Sequence, residues 1–201
     1  MTLPDTLLNT TLNLFSRYGI KQMTMDDVAR ACGISKKTLY RTYRHKAQLV
    51  DALVRASVEQ ISDNYAAMTR SSADAVAETI SLLRHFESIC KRINYRMLLD
   101  LEKYYYESWL RIDAFRQKIW RDIITENLQR GRAEKLYNEE FDKGIIATMR
   151  LQQLAFMHQT ALQNLALHET LLQVTIHYLK GIATPKGLDR IKEITNQNNT
   201  I

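Results

Sequence analysis

The sequence predicts an all-α protein, and three observations support that prediction. The 201 residues include only 6 glycines and 2 prolines, too few for the many tight turns of a sheet protein. Apolar residues recur at steps of three and four through most of the chain, which is the period of an amphipathic helix. A content of 45% hydrophobic and 25% charged residues is typical of a folded domain and excludes wholesale disorder and fibrous classes.

Four helices are predicted in the first third of the chain from caps, glycine stops and apolar spacing. Thr24 and Ser35 are good N-caps, and the acidic pair 26–27 favours the positive end of a helix. Gly33 can supply the positive φ of a tight turn. The first helix is expected to end at Tyr18, the second to run from Thr24 to about Cys32, the third from Lys36 to about Thr42, and the fourth over about 46–68.

The second and third of these helices form a helix-turn-helix pattern around Gly33-Ile34-Ser35. Ala29 is small where the two helices cross, and Leu39 and Tyr43 are expected to face the core. The first half of such a third helix is the part that reaches base edges in a major groove. The side chains expected to point outward from it are Lys36, Lys37, Thr38, Tyr40 and Arg41.

Positive charge is concentrated around this pattern. Residues 1–60 carry nine Lys and Arg against five Asp and Glu, which is +4 of the formal net charge of +6. Between Val28 and Val50 there is no acid at all. A basic stretch with tyrosines is typical of a phosphate-binding surface, although a solvated charged face gives the same composition. The groups expected to meet backbone phosphates are Thr24, Ser35, Tyr40 and Lys46.

One ordered set of residues is shared with a known family. The set comprises Leu14-Phe15, Gly19, Thr24, Val28-Ala29, Cys32-Gly33-Ile34-Ser35, Thr38-Leu39-Tyr40, Tyr43 and Lys46. With it, residues 8–54 resemble the DNA-binding domain of the TetR family of bacterial transcription regulators. The sequence departs from the family pattern at Met25 and Lys37. The candidate DNA contacts are Thr24, Ser35, Lys36, Lys37, Thr38, Tyr40, Arg41, Tyr43 and Lys46.

Residues 60–201 are predicted to form further helices. Asn138 is expected to cap a long helix from Glu139, the range 181–187 to be a turn, and 188–194 a short helix. The resemblance implies a homodimer through helices at about 140–166 and 168–183, which would read a near-palindromic operator in double-stranded DNA. The expected domains are a helix-turn-helix DNA-binding domain at 1–47 and a helical ligand-binding and dimerisation domain at 48–201.

Aromatic residues are concentrated between Leu98 and Trp120. The resemblance implies a pocket for a small-molecule effector in this region, and apolar and aromatic walls suit such a site. For any single one of these residues, packing in the core or in an interface is the more common explanation. The candidate ligand contacts are Phe86, Met97, Tyr105, Trp109 and Phe156.

Other kinds of site are not indicated. Cys32 and Cys90 make neither a disulfide framework nor a zinc site, and no histidine pair has metal-ligand spacing. No catalytic triad, P-loop or dinucleotide motif is present, so we expect no cofactor, no metal and no enzyme. The N-terminus lacks a signal-peptide pattern, and no apolar run approaches the ~20 residues of a membrane helix. The expected location is the cytoplasm.

The leading hypothesis is a homodimeric repressor that a small-molecule effector releases from DNA. One alternative is an architectural DNA-binding protein without an effector, which predicts a filled interior around Trp109. Another is a helical enzyme or carrier with a vestigial DNA-binding end. That alternative predicts paired acid and base groups in a pocket and no specific affinity for DNA.

Overall fold

The computed structural model describes residues 3–93, 95–162 and 167–198, with the backbone alone at 3–5, 95, 155–162, 167 and 197–198. Within these residues all regular structure is helical except an isolated antiparallel bridge between Tyr137 and Ala183. The predicted all-α class is confirmed. The helices are α1 (Leu3–Tyr18), α2 (Met25–Ala31), α3 (Lys36–Thr42), α4 (Lys46–Ser71), α5 (Ala75–Arg92), α6 (Tyr95–Tyr104), α7 (Tyr106–Ala133), α8 (Lys143–Leu162), α9 (Leu167–Ile182) and α10 (Pro185–Asn198).

Contacts divide the chain into two compact units, each with its own core. The first unit comprises residues 1–63 and 91–116, and the second comprises 64–90 and 117–201. The core of the first includes the fully buried Phe15, Ile20, Leu39, Leu49 and Leu101. The core of the second includes the fully buried Ala75, Val76, Leu128, Leu171 and Leu179. The functional boundary expected after residue 47 stays a prediction.

Helices α2 and α3 begin after the caps that the sequence indicates. Thr24 Oγ1 accepts a hydrogen bond from the Asp27 backbone N–H at 3.1 Å, and the Asp27 carboxylate accepts one from the Thr24 backbone N–H at 3.0 Å. This reciprocal pair is a capping box. Gly33 has a φ of +66° between the two helices. A residue with a side chain would be strained in this conformation. Ser35 Oγ then accepts from the Thr38 N–H at 3.0 Å.

The expected cap at Asn138 is wrong, because α8 begins only at Lys143. Asn138 is instead hydrogen-bonded to the end of α9. Its backbone N–H donates to the Ile182 carbonyl at 2.8 Å, and its side-chain amide donates to the Ala183 carbonyl at 3.0 Å. The cap of α8 is instead Asp142, whose carboxylate accepts from the Ile145 N–H at 2.9 Å.

The last helix is longer than the predicted 188–194. It begins at Pro185, so the expected turn at 181–187 is reduced to the two residues between α9 and α10. Proline suits the first position of a helix, where its missing N–H is not needed. Thr184 caps the helix by accepting a hydrogen bond from the Gly187 N–H at 3.1 Å.

A charged network joins α5 to α7 inside the second unit. Arg130 donates to Glu78 at 2.9 Å and to Glu134 at 2.7 Å, and its third nitrogen donates to the Ser72 carbonyl at 2.8 Å. Glu78 is only 1% exposed, and burial raises its pKa despite the bonds from Arg130. The buried carboxylate is therefore matched by a cation, as buried charges require.

The close approach of Gly131 to Tyr137 gives a stability prediction. A Cβ at Gly131 would lie 2.0 Å from the ring of Tyr137, which is 1% exposed. We expect Gly131→Ala to destabilise the protein by about 1–3 kcal/mol through overpacking. Gly181→Ala is the matched control in a helix, because a Cβ there meets nothing within 4 Å. Equal thermal unfolding midpoints for the two variants would contradict the expectation.

The capping box gives a pH prediction. Hydrogen bonds from the side chain and the backbone of Thr24 lower the pKa of Asp27. The folded protein therefore binds this proton less readily than the unfolded chain, and the contribution to stability is present above the ordinary carboxyl range and lost as the pH falls through the lowered value. We expect Asp27→Asn to flatten the acid side of the unfolding midpoint against pH. An unchanged slope would show that Asp27 contributes nothing.

Candidate nucleic-acid interface

The seven-residue helix α3 has one buried face and one exposed face. Leu39 has no exposed surface, whereas Tyr40 is 45% exposed and Lys37 and Arg41 are also exposed. Among the described residues, neither Lys37 nor Arg41 has an acidic partner within ion-pair distance. Both cations are therefore available to an external anion.

Two hydroxyl groups at the start of α3 are already used by the cap. Ser35 Oγ accepts from the Thr38 N–H and lies 2.8 Å from Thr38 Oγ1. Ser35 stays exposed, so its hydroxyl can take a further partner at the N-terminus of the helix. Helix N-termini favour anions because their N–H groups are unsatisfied and the helix dipole is positive there.

Lys36 is paired within the protein. Its ammonium group donates to Asp26 of α2; the Lys36 side chain is largely exposed, and that of Asp26 is partly exposed. An exposed pair of this kind contributes little to stability. It links α2 to α3 and reduces the charge that Lys36 presents. No short sequence pattern indicates this pair, because an acidic residue at position 26 is equally explained by the start of a helix.

Lys46 is placed differently from the exposed cations of α3. Its ammonium group donates to the Ile20 carbonyl and lies 5.9 Å from the centre of the Phe15 ring. Burial lowers its pKa, against the charges of Asp100 and Asp27, which raise it. Lys46 thus ties the start of α4 to the chain after α1, and its contact with DNA stays a prediction.

Tyr43 is in the core of the first unit. It is 8% exposed, as its spacing predicts, and burial raises the pKa of its phenol. Its role as a DNA contact is untested. Two cations outside the predicted set, Arg30 and Arg44, are exposed near α3 in sequence. Neither lies on α3, the helix from which the sequence pattern predicts contacts with base edges.

A cavity lies in the second unit, enclosed by α5, α7, α8 and α9. Its apolar walls include Leu83, Phe86, Trp120, Ile124 and Leu154, and its polar walls are Thr79, Asn127, Arg150 and Tyr178. The space open to the centre of a water-sized sphere is about 30 Å³, which is room for about two waters.

Four of the five candidate ligand contacts have described side chains, and these four divide between the two units. Phe86 lines the cavity, whereas Met97, Tyr105 and Trp109 belong to the core of the first unit. The side chain of Phe156 lies outside the described residues. The cavity is beside Trp120 rather than Trp109. Sequence reasoning missed Arg150 and Tyr178, although a lone arginine within the apolar helix at 140–166 was a usable signal.

Two other classes of site are absent from the described residues. No group of three histidine, cysteine or acidic side chains is arranged to hold a metal ion there. None of the described helices combines the length and apolar character needed to cross a bilayer.

Residues 7–53 match the family model described as bacterial regulatory proteins of the tetR family. The chain is also 34% identical over 122 residues to YvaF of Bacillus subtilis, an uncharacterized HTH-type transcriptional regulator. That match covers 59% of this chain and 62% of the relative, so the chain spans about three fifths of the length of that relative.

Solved structures share the fold. The reduced form of NemR from Escherichia coli superposes with a TM-score of 0.73 at 13% identity, covering 92% of this chain and 99% of that one. FadR from Bacillus subtilis, solved with stearoyl-CoA, gives 0.66 at 16% identity, covering 89% and 98%. At these identities the likeness concerns the fold. Residues 7–53 therefore belong to the tetR family of bacterial regulatory proteins, and the described chain shares the fold of these solved structures.

Proposed function

We propose that this protein is a homodimeric, sequence-specific DNA-binding repressor that a small-molecule effector releases from its operator. The observation that carries the proposal is the exposed face of α3. Lys37, Tyr40 and Arg41 project from a helix whose opposite face is anchored by the buried Leu39. A short helix with cations, a phenol and hydroxyls on one face suits the major groove and its flanking phosphates.

Dimerisation is supported by the exposed apolar side chains of α8. Ile145 and Met149 are one helical turn apart and are 63% and 55% exposed. They lie within the range 140–166 for which the family resemblance implies a dimer interface. A two-fold dimer presents two α3 helices to two half-sites, which explains why a near-palindromic operator is the expected target.

Release by an effector is supported by the cavity and by a helix that runs through both units. The start of α4 lies in the first unit and its end, after residue 63, in the second. A ligand that binds one conformation of the second unit better shifts the population toward that conformation. In the released conformation the two α3 helices no longer match successive major grooves.

The DNA-binding proposal is tested on an operator selected from a random DNA pool with the full chain. Lys37→Ala, Tyr40→Ala and Arg41→Ala are each expected to weaken binding about 10-fold or more, because each removes a base or phosphate contact. The slope of log affinity against log salt is expected to fall by about 1 for each lost phosphate contact.

Lys118→Ala, an exposed cation of α7 in the second unit, is the matched control and should bind as the unchanged protein does. Mobility shifts over a salt series measure both quantities. Undiminished binding by all three α3 variants would refute the assignment of this face.

The dimer proposal is tested by Ile145→Glu combined with Met149→Glu. Two buried, unpaired carboxylates in an apolar interface are strongly unfavourable, so we expect a monomer in sedimentation velocity. Leu110→Glu, at a 42% exposed apolar residue of the first unit, should leave the dimer intact. A dimer that survives the double change would place the interface elsewhere.

A further inference from the structure

The cavity of the second unit contains a buried arginine. Arg150 lies on α8, lines the cavity and is only 5% exposed. Arginine is almost never this buried unless a partner offsets its charge. The identity of that partner is therefore informative about what the cavity can hold.

The partners of Arg150 within the described residues are all neutral. Its guanidinium donates to Thr175 at 2.9 Å and to Gln153 at 3.1 Å, and it lies 4.5 Å from the centre of the Tyr178 ring. No described carboxylate is within ion-pair distance, and residues 155–167 contain neither Asp nor Glu. Arg130 in the same unit has two carboxylate partners, whereas Arg150, which is more deeply buried and lines the cavity, has none among the described residues.

Arg150 stays a cation at neutral pH. Burial lowers its pKa to about 10, which leaves the guanidinium protonated in the physiological range. An isolated buried charge is unfavourable, and an anion brought to it gains more than it would from an exposed cation. The cavity therefore favours a negatively charged group at this point.

A second donor is available beside the guanidinium. The hydroxyl of Tyr178 has no hydrogen-bond partner in the described part of the chain, and burial raises its pKa to about 12, so it remains protonated. The other polar wall groups bond one another. Thr79 donates to Asn127 at 3.1 Å, and Asn127 donates to the Ala75 carbonyl at 2.9 Å.

We propose that this cavity binds a monocarboxylate with an apolar body, its carboxylate paired with Arg150 and hydrogen-bonded by the Tyr178 hydroxyl. The inference names the chemical class of the effector and so rests on the proposed function. One buried cation matches one negative charge, whereas a phosphate dianion would leave a second charge uncompensated. The apolar side chains of Phe86, Trp120 and Leu154 would surround the body of the ligand.

The size of the cavity couples binding to a change of conformation. A space for about two waters does not hold an alkyl chain, so the lining side chains must move apart when such a ligand enters. These side chains come from α5, α7, α8 and α9. Ligand binding is thus thermodynamically coupled to a change in the packing of these four helices.

The test compares hexanoate, octanoate and decanoate with the primary alcohols of the same length, by isothermal titration calorimetry on the full chain. We expect at least one carboxylate to bind about 10-fold or more tightly than its alcohol, the scale of a charge-assisted hydrogen bond. Quenching of Trp120 fluorescence, in a Trp109→Phe background, reports the location. Equal affinity for carboxylates and alcohols, or no binding of any carboxylate, overturns the proposal.

Three variants assign the preference to the two donors. Arg150→Met should lose the preference for the carboxylate while keeping the affinity for the alcohol, and Arg121→Met, an exposed arginine of α7, should keep both. Should Arg150→Met fail to fold, Tyr178→Phe decides, because it keeps the ring and removes the hydroxyl. We expect it to weaken octanoate several-fold and leave octanol unchanged. An unaltered preference in Arg150→Met, or in Tyr178→Phe where Arg150→Met does not fold, overturns the proposal.

Mobility shifts separate this inference from the proposed function. If a carboxylate binds with the expected preference but leaves the protein on its operator, the cavity assignment stands and effector release fails. If the protein binds its operator and takes no carboxylate, the DNA-binding proposal stands and the ligand class is wrong.

Discussion

Leu39 is completely buried in the core of the first unit, and its burial fixes which side of α3 faces solvent. A helix of seven residues has two turns, so a single anchored apolar residue determines the direction of all its neighbours. Lys37, Tyr40 and Arg41 face outward for that reason. The caps at Thr24 and Ser35 and the positive φ of Gly33 contribute to this orientation. They set the residues at which α2 and α3 begin and end, and so place Leu39 in the core.

The positively charged side chains considered in the two units differ in how exposed they are to solvent. In the first, the cations of α3 are exposed, and Lys36 is partly offset by Asp26. In the second, Arg130 is half-buried and has two carboxylate partners, whereas Arg150 is buried and has none among the described residues. An exposed cation interacts weakly with its surroundings through water, whereas a buried one depends strongly on its partners. The surface of α3 therefore suits the salt-dependent binding of a polyanion. The cavity around Arg150 suits a ligand with one negative charge.

Local chemistry made α2 and α3 predictable. Their caps are satisfied by residues three positions away, so the sequence contains nearly all the information that sets their limits. The same reasoning failed at Asn138, since its hydrogen bonds are made to Ile182 and Ala183, more than forty residues away. The ligand contacts stay a prediction, and those with described side chains divide between two cores, with Met97, Tyr105 and Trp109 in one and Phe86 in the other. Helical spacing alone does not show which of two cores an apolar face enters.

The sequence by itself determined the helical class, the helix-turn-helix and the concentration of positive charge around α3, because these depend on residue type and short spacing. Only the tertiary structure decided that Lys46 turns to the Ile20 carbonyl, that Lys36 pairs with Asp26, and that Arg150 is buried in a cavity beside Tyr178. Each of these contacts joins two separate elements of the chain, and those of Lys46 and Arg150 also depend on burial. Burial sets the strength of an electrostatic interaction, and it is a property of the packed chain rather than of any segment of it.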